Sequence, residues 1–516
     1  MKRVITATIR GGDAGAAHPF LRRKSLATVR RDAETTGMHR SLGPVQLVLI
    51  GIGCIVGAGV YVMTGTAAAH YAGPAVILSF LIAAIACGFI CLCYAELASV
   101  LPVSGASYAY AYTVLGEVFA WGLGWMVMFE FGLAGAALAV GFSGYFASLL
   151  GDFGVHLPAA ISSSWITAET GAGGIRFVTG GGINLVAVAA LVAVTLVLIR
   201  GVAHSAAVNT LLVIIKVGVL VGFVTVGIGR VDSANWMPFI PPNEGGFAFG
   251  VPGILRGASI LFFAYLGFEA VATAAAETRR PQRDVPLGIL GALAASTVLY
   301  AAVALVMTGL VSYRELGVPD PVAVAIGAVG MPVLAIVIKA GALTGLASVL
   351  LVNTYAQSRI CHAMSSDGLL PAPFARLHRR FRTPAVATIT VAATSAVAAA
   401  LLPISLLGDL VSLGTISVFT VVAIAVMWLR TTHPELERPF KVPLGGVRIG
   451  GIWIGVVPVL ALASCVLMAA PVLIDVILKA ANGQWIPAAI LLVYFAVGAA
   501  IYLLYGVHNA RIRAED

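Results

Sequence analysis

Of 516 residues, 60% are apolar and only 10% charged, with a mean hydropathy of +1.00. That balance excludes a chain presenting its whole surface to water and points to a membrane protein. The net charge of +9 would suit a nucleic acid, but the basic residues crowd the N-terminal segment and alternate loops instead of forming one face, which favours a bilayer as partner over nucleic acid.

A membrane-spanning helix needs about 20 mostly apolar residues. Taken in chain order, segments of that kind cover approximately residues 44–70, 73–101, 117–150, 182–200, 206–229, 250–276, 286–310, 331–363, 384–402, 408–430, 451–473 and 485–507. The expected fold is therefore an all-α integral membrane protein with twelve transmembrane helices, the membrane-embedded domain running over residues 44–507. Residues 1–43 carry nine Lys and Arg and lack an apolar core with a secretory cleavage site, so they read as a cytoplasmic tail that sets topology. The loops expected on that same side hold Arg279, Arg280, Arg283, Arg376, Arg379, Arg380, Arg382, Arg430, Arg438, Lys441 and Arg448, against Arg176, Arg230, Arg314 and Lys479 on the other. Both termini, including a short tail at 508–516, are expected in the cytoplasm.

Two apolar segments are interrupted by glycine at matching places. The first is Gly51-Ile-Gly-Cys-Ile-Val-Gly57-Ala58-Gly59-Val60, and the second is Phe262-Phe263-Ala264-Tyr265-Leu266-Gly267-Phe268-Glu269. Unwound backbone at membrane depth survives only where it faces protein or a wet cavity, so paired breaks mark a solute site. If spans one to five (44–229) and six to ten (250–430) are two units, the odd number of crossings makes them inverted copies, with spans eleven and twelve (451–507) left over as packing or oligomerisation helices. N–H groups freed around Gly57, Ala58 and Gly59 suit a carboxylate, and carbonyls freed on the other side of a break suit an ammonium. A zwitterion fits both without burying a charged side chain. A Gly-x-Gly close-packing contact is the competing reading of the first break taken alone.

The six cysteines, Cys54, Cys87, Cys91, Cys93, Cys361 and Cys465, lie in or at the ends of apolar stretches with no disulfide or metal-ligand spacing, and the nine histidines are dispersed. No cofactor, metal or catalytic residue is expected, and an enzyme is not.

Gly51 to Gly65, Tyr94-Ala-Glu96-Leu-Ala, Phe262 to Glu277 and Arg359-Ile-Cys-His-Ala-Met-Ser-Ser-Asp-Gly-Leu-Leu-Pro371, on a twelve-span pattern, resemble the amino acid–polyamine–organocation superfamily, in particular its cationic amino acid transporter branch and the bacterial amino acid permeases within it. The resemblance covers nearly everything from Ser41 to Tyr505. It implies that the substrate carboxylate meets backbone N–H groups of Val56, Gly57, Ala58 and Gly59, and that the amino group meets the carbonyls of Ile55, Phe263, Ala264 and Leu266. Phe263 also takes the place of an aromatic lid. Many relatives have Ser or Thr where this chain has Ala58, so carboxylate binding here would rest on backbone dipoles alone.

Lys216 lies about ten residues into span five, roughly 15 Å along a helix and deep for snorkelling. The resemblance implies that it reaches between spans one and eight, where sodium-coupled relatives hold Na⁺. A buried ammonium there can release and regain a proton, or serve as a fixed strut. Thr344 and Ser348 on span eight are candidate acceptors for it, although most such hydroxyls bond to their own backbone. Glu269, where the resemblance implies an acidic residue near the pocket, can pair with a cationic substrate, sense pH or hydrogen-bond as a neutral acid; Glu130 can contact substrate or serve structure; the resemblance implies that Asn353 lines the side-chain pocket, where it can admit a longer polar or cationic group. Lys339, shallower in span eight, can snorkel outward, and Glu96 and Glu277 sit at cytoplasmic helix ends, where the resemblance implies helix capping and inner-gate contacts, the structural role leading.

The function expected from these features is secondary active, proton-coupled uptake of a cationic or neutral amino acid by alternating access in a bacterial inner membrane. An obligatory exchanger would use the same pocket without net proton movement, and a non-transporting sensor would bind through the same site. Amino acid, protons and the lipid bilayer are the expected partners; oligomeric state is left open.

Overall fold

The computed structural model describes residues 42–101, 106–171, 174–201 and 206–510, so most of the two expected tails, at 1–43 and 508–516, lie outside the described residues. Among the described residues nine helices are long and apolar enough to cross a membrane, and three shorter apolar helices, Pro44–Ile55, Leu185–Ile199 and Ala385–Leu401, accompany them. The chain is mostly helical because apolar residues dominate these segments and no backbone group inside a bilayer can be left to lipid.

The first helix, α1 (Pro44–Ile55), starts with proline, which has no N–H to lose there, and stops at Val56. The chain then resumes in π-helical turns at Gly59–Met63 and Ala68–Ala72 with a short α-helical stretch between them. After it come α2 (Val76–Val100), the short α3 (Ala106–Val114) and the long α4 (Glu117–Asp152). Two further helices, α5 (Leu185–Ile199) and α6 (Ala206–Gly227), precede the second broken segment, α7 (Gly250–Leu261) and α8 (Glu269–Thr273). The remainder is α9 (Pro281–Leu310), the loop helix α10 (Pro321–Gly327), α11 (Pro332–Ser366), α12 (Ala385–Leu401), α13 (Ile404–Thr432), α14 (Val456–Ala481) and α15 (Ile486–Ile501).

Two expectations are corrected. The fold is not purely α: β1 (Ile166–Gly171) pairs antiparallel with β2 (Gly174–Thr179), and β3 (Gly446–Ile449) pairs with β4 (Ile452–Gly455). The β3–β4 turn is Gly450-Gly451, both at positive φ (59° and 84°), the conformation a tight hairpin requires. That hairpin takes up residues expected to open the span at 451–473, so its helix starts at Val456 and runs on to Ala481.

Small residues let the helices around the breaks approach closely. A Cβ on Gly51 of α1 would strike Ala292 of α9, and one on Gly288 would lie 2.6 Å from the Cβ of Leu47. On the other flank, α11 is tied to α4 by two amide rungs: Asn353 Nδ2 donates to the Phe131 carbonyl at 2.6 Å and Gln357 Nε2 to that of Met128 at 2.9 Å. The beginning of the described chain is fixed beyond α8, where the Leu42 N–H donates to the Glu277 carbonyl and the Arg279 N–H to that of Leu42.

Candidate functional site at two helix breaks

At the first break Val56 leaves helical geometry (φ −73°, ψ 96°), and the next regular bond runs from the Tyr61 N–H to the Gly57 carbonyl. N–H groups at the start of the resumed segment therefore have no preceding turn to donate to. At the second break, α7 tightens into a 3₁₀ turn over Phe262–Tyr265, Leu266 becomes extended (ψ 137°), and Gly267 adopts φ +115° before α8 begins. The Leu266 N–H donates to the Phe263 carbonyl at 3.0 Å, and the Glu269 carboxylate accepts from the Gly267 N–H at 3.1 Å, so that side chain folds back on the unwound turn before its own half-helix.

The breaks cross in direct contact. A Cβ on Gly59 would run into the backbone of Ala264; one on Gly267 would lie 2.7 Å from the carbonyl carbon of Cys54 and 2.9 Å from its oxygen. Each break thus needs glycine where it meets the other, and at Gly267 the positive φ adds a second reason. Tyr300 of α9 closes the junction: its hydroxyl lies 2.8 Å from the Ile55 carbonyl oxygen and 3.1 Å from that of Ala264. Its ring packs against Phe80 and Tyr265, and an aromatic group of Tyr94, Phe268, Phe262 and Phe419 surrounds the second break.

Ile55, Val56, Ala58, Phe263, Ala264 and Leu266 are all buried at this junction. Lys216 is buried as well; its Nζ donates to the Gly53 carbonyl of α1, its own carbonyl accepts from the Tyr61 hydroxyl at 3.1 Å, and its Cβ faces Gly345 of α11. The side chain therefore lies between α1 and α11. Glu130, on α4, is buried against Gly414 of α13, and its Oε1 finds no hydrogen-bond partner among the described residues. Asn353 gives its amide to the Phe131 carbonyl, a structural use in this conformation.

The proposed acceptors for Lys216 are not brought to it. Thr344 sits on the exposed face of α11 and donates to the Ala340 carbonyl, and Ser348 donates to that of Gly345. Between them Gly345, about 100° round the helix from Thr344, is the residue turned to the lysine. Lys339 does not snorkel free: it is buried and held by Asp152 of α4 at 2.7 and 2.8 Å. Glu96 makes a bidentate pair with Arg430 (2.7 and 2.5 Å) and accepts from the Val442 N–H, joining the end of α2 to α13 and its following loop. Glu277 is exposed and contributes its backbone carbonyl.

Sequence reasoning missed Tyr300, for which a lone Tyr in an apolar helix gives no signal, and the buried cluster of Arg256, Asp409 and Asp475. The latter had a signal in charges inside apolar segments, which rarely occur without a partner or a task.

The amino acid permease family model matches residues 42–504. The chain is similar to the methylthioribose transporter of Bacillus subtilis (strain 168), 40% identical over 486 residues that cover 94% of this chain and 97% of that protein. It is also similar to the branched-chain amino acid permease BcaP of the same organism, at 38% over 484 residues covering 93% and 96%. A plant relative, the vacuolar cationic amino acid transporter 4 of Arabidopsis thaliana, is 37% identical over 419 residues, 81% of this chain and 68% of that protein.

Proposed function

Since the chain belongs to the amino acid permease family, whose members are transporters and not enzymes, we propose that it is a secondary active transporter taking up an amino acid together with protons, by alternating access around its two broken helices. In this reading the helices form twelve spans in an inverted five-plus-five arrangement, with α14 and α15 as the added pair, both termini in the cytoplasm and the whole in a bacterial inner membrane. The observation that carries it is the crossing of the breaks. N–H groups of the first break, which follow no complete helical turn, and the carbonyls of Ile55 and Ala264 lie at one buried junction, a donor set for a carboxylate next to an acceptor set for an ammonium.

Tyr300 gives this junction a working part. In the conformation described its hydroxyl holds the two carbonyls that the substrate ammonium would take, and it has one proton to share between them. An arriving ammonium supplies more donors and replaces or joins it, so loading would change how firmly α1, α7 and α9 are tied together. Phe263 would cover the bound solute, and Glu130, Glu269 and Asn353 would border its side chain. Lys216, bonded to the Gly53 carbonyl just before the break, is placed for a proton gained or lost there to alter the hold on α1. Exchange without proton movement is the second reading, favoured if that bond is a permanent strut.

Competition for uptake into proteoliposomes tests the site chemistry. Unlabelled amino acids should compete, while the matching amine without a carboxylate and the matching acid without an amino group should not. Methylthioribose belongs in the same panel because a relative is named for its transport. Competition by methylthioribose alone would contradict the zwitterion reading.

A further inference from the structure

We propose that Arg256, Asp409 and Asp475 form a latch over the outer side of the site, so that α14, which the repeat leaves out, belongs to the gate. The proposal rests on the alternating-access reading above. Arg256 is fully buried on α7, about two turns before the second break, and its Nη2 lies 2.6 Å from Asp409 Oδ2 of α13 and 3.1 Å from Asp475 Oδ2 of α14. Its guanidinium carbon stands 4.7 Å above the ring of Tyr71, at the end of the segment that follows the first break, and Lys479 holds Asp475 from the other side at 2.9 Å. One side chain thus joins the half-helices of both breaks to α13 and α14.

The cluster is incompletely satisfied. Arg256 Nε and Nη1, Asp409 Oδ1, the Tyr71 hydroxyl and the Ser405 hydroxyl, one turn before Asp409, are all buried and have no hydrogen-bond partner among the described residues. A buried network rigidifies a fold when every member is satisfied, and each orphaned group raises the free energy of the closed arrangement. Water admitted on opening would satisfy all of these atoms, offsetting the lost ion pair. An ion pair kept under-satisfied between elements that must separate is suited to opening; a purely structural pair gains nothing from orphaned atoms.

Ser259 supplies a reporter. It lies one turn closer to the break on α7, is fully buried beneath the latch, and differs from cysteine by one atom. In right-side-out membrane vesicles, a membrane-impermeant maleimide would label Ser259→Cys only when the outer side opens; of the six native cysteines five are buried and Cys54 is half-buried on α1, and the chain without the reporter gives the background. Adding Asp475→Asn should raise the labelling rate by roughly tenfold, the scale of a weakened buried ion pair acting on a two-state equilibrium. The double variant Arg256→Gln with Asp409→Asn, which leaves Asp475 paired with Lys479 and no charge orphaned, should do the same and guards against misfolding of the single variant. Measurable labelling of the reporter alone that neither variant changes would overturn the latch and leave alternating access intact. No labelling of the reporter in any background, with or without substrate, would overturn the alternating-access reading and the latch with it.

Discussion

The hydroxyl oxygen of Tyr300 lies 2.8 Å from the carbonyl oxygen of Ile55, so a side chain of α9 bonds the last residue of α1, and the same hydroxyl reaches Ala264 in the second break at 3.1 Å. The two unwound points of the chain are therefore joined through one proton donor. Replacing Tyr300 with Phe keeps the ring contacts and removes the donor. The two carbonyls then lose their partner in the empty protein, at about 1–3 kcal/mol for a buried acceptor left unsatisfied. A bound ammonium restores it, so Tyr300→Phe should lower the half-saturation concentration by roughly five- to a hundredfold and slow net uptake more than exchange, because only net uptake returns the protein empty. Equal loss in both modes, read from uptake into loaded and unloaded proteoliposomes, would contradict this role.

Glycine requirements separate cleanly along the chain. Gly267→Ala places a Cβ against the Cys54 backbone at φ +115° and should lower the melting temperature and abolish uptake, with at least about 1–3 kcal/mol of backbone strain before any clash. Gly218→Ala, on α6 where a Cβ would meet nothing within 4 Å, should leave uptake unchanged and stabilise by about 0.5–1 kcal/mol. Thermal unfolding of the two variants in detergent, beside uptake, checks both.

How much of this is legible in the sequence follows from what each feature depends on. The breaks are legible because Gly57, Gly59 and Gly267 sit inside apolar helices and the backbone rule for lipid leaves few explanations. The depth of Lys216 is legible by counting residues. Rotation about α11 is not: the choice of Thr344 and Ser348 as partners of Lys216 misses Gly345, a neighbour in sequence facing another direction. Partners distant in the chain are out of reach too. Nothing near Lys339 announces Asp152, nothing near Tyr300 announces Ile55, and Arg256 meets Asp409 and Asp475 only after three helices have packed.

The Glu96–Arg430 pair joins a buried carboxylate to a half-buried guanidinium, is bidentate and is backed by the Val442 N–H. Removing one partner of a fully buried pair typically costs about 3–5 kcal/mol because the other charge is left uncompensated; here Arg438 Nε, 3.6 Å from Glu96 Oε1, still faces the remaining carboxylate and limits the loss. Arg430→Gln should therefore lower the melting temperature, and Arg430→Gln combined with Glu96→Gln should recover part of the loss, Arg438 keeping its bonds to the Leu436 and His433 carbonyls. A double variant as unstable as the single one would mean that the pair serves mainly through packing, for example Arg430 over the Trp453 ring at 4.2 Å.

Asn353 makes a prediction about selectivity. Its amide is committed to the Phe131 carbonyl on α4, beside Gly135. Asn353→Leu removes the donor and fills the space with an apolar group, so it should cost about 1–3 kcal/mol in stability and shift competition toward small apolar amino acids at the expense of long polar ones. Unchanged competition with reduced stability would assign Asn353 to helix packing alone.

Proton-driven accumulation is the most direct test of the central claim, measured as uptake of a radiolabelled amino acid into proteoliposomes with and without an inward proton gradient, for the unmodified protein and for Lys216→Ala. The account predicts accumulation driven by the gradient in the unmodified protein and none in the variant. Uptake that ignores the gradient and requires amino acid preloaded inside would contradict it, making the protein an exchanger and Lys216 a strut for α1.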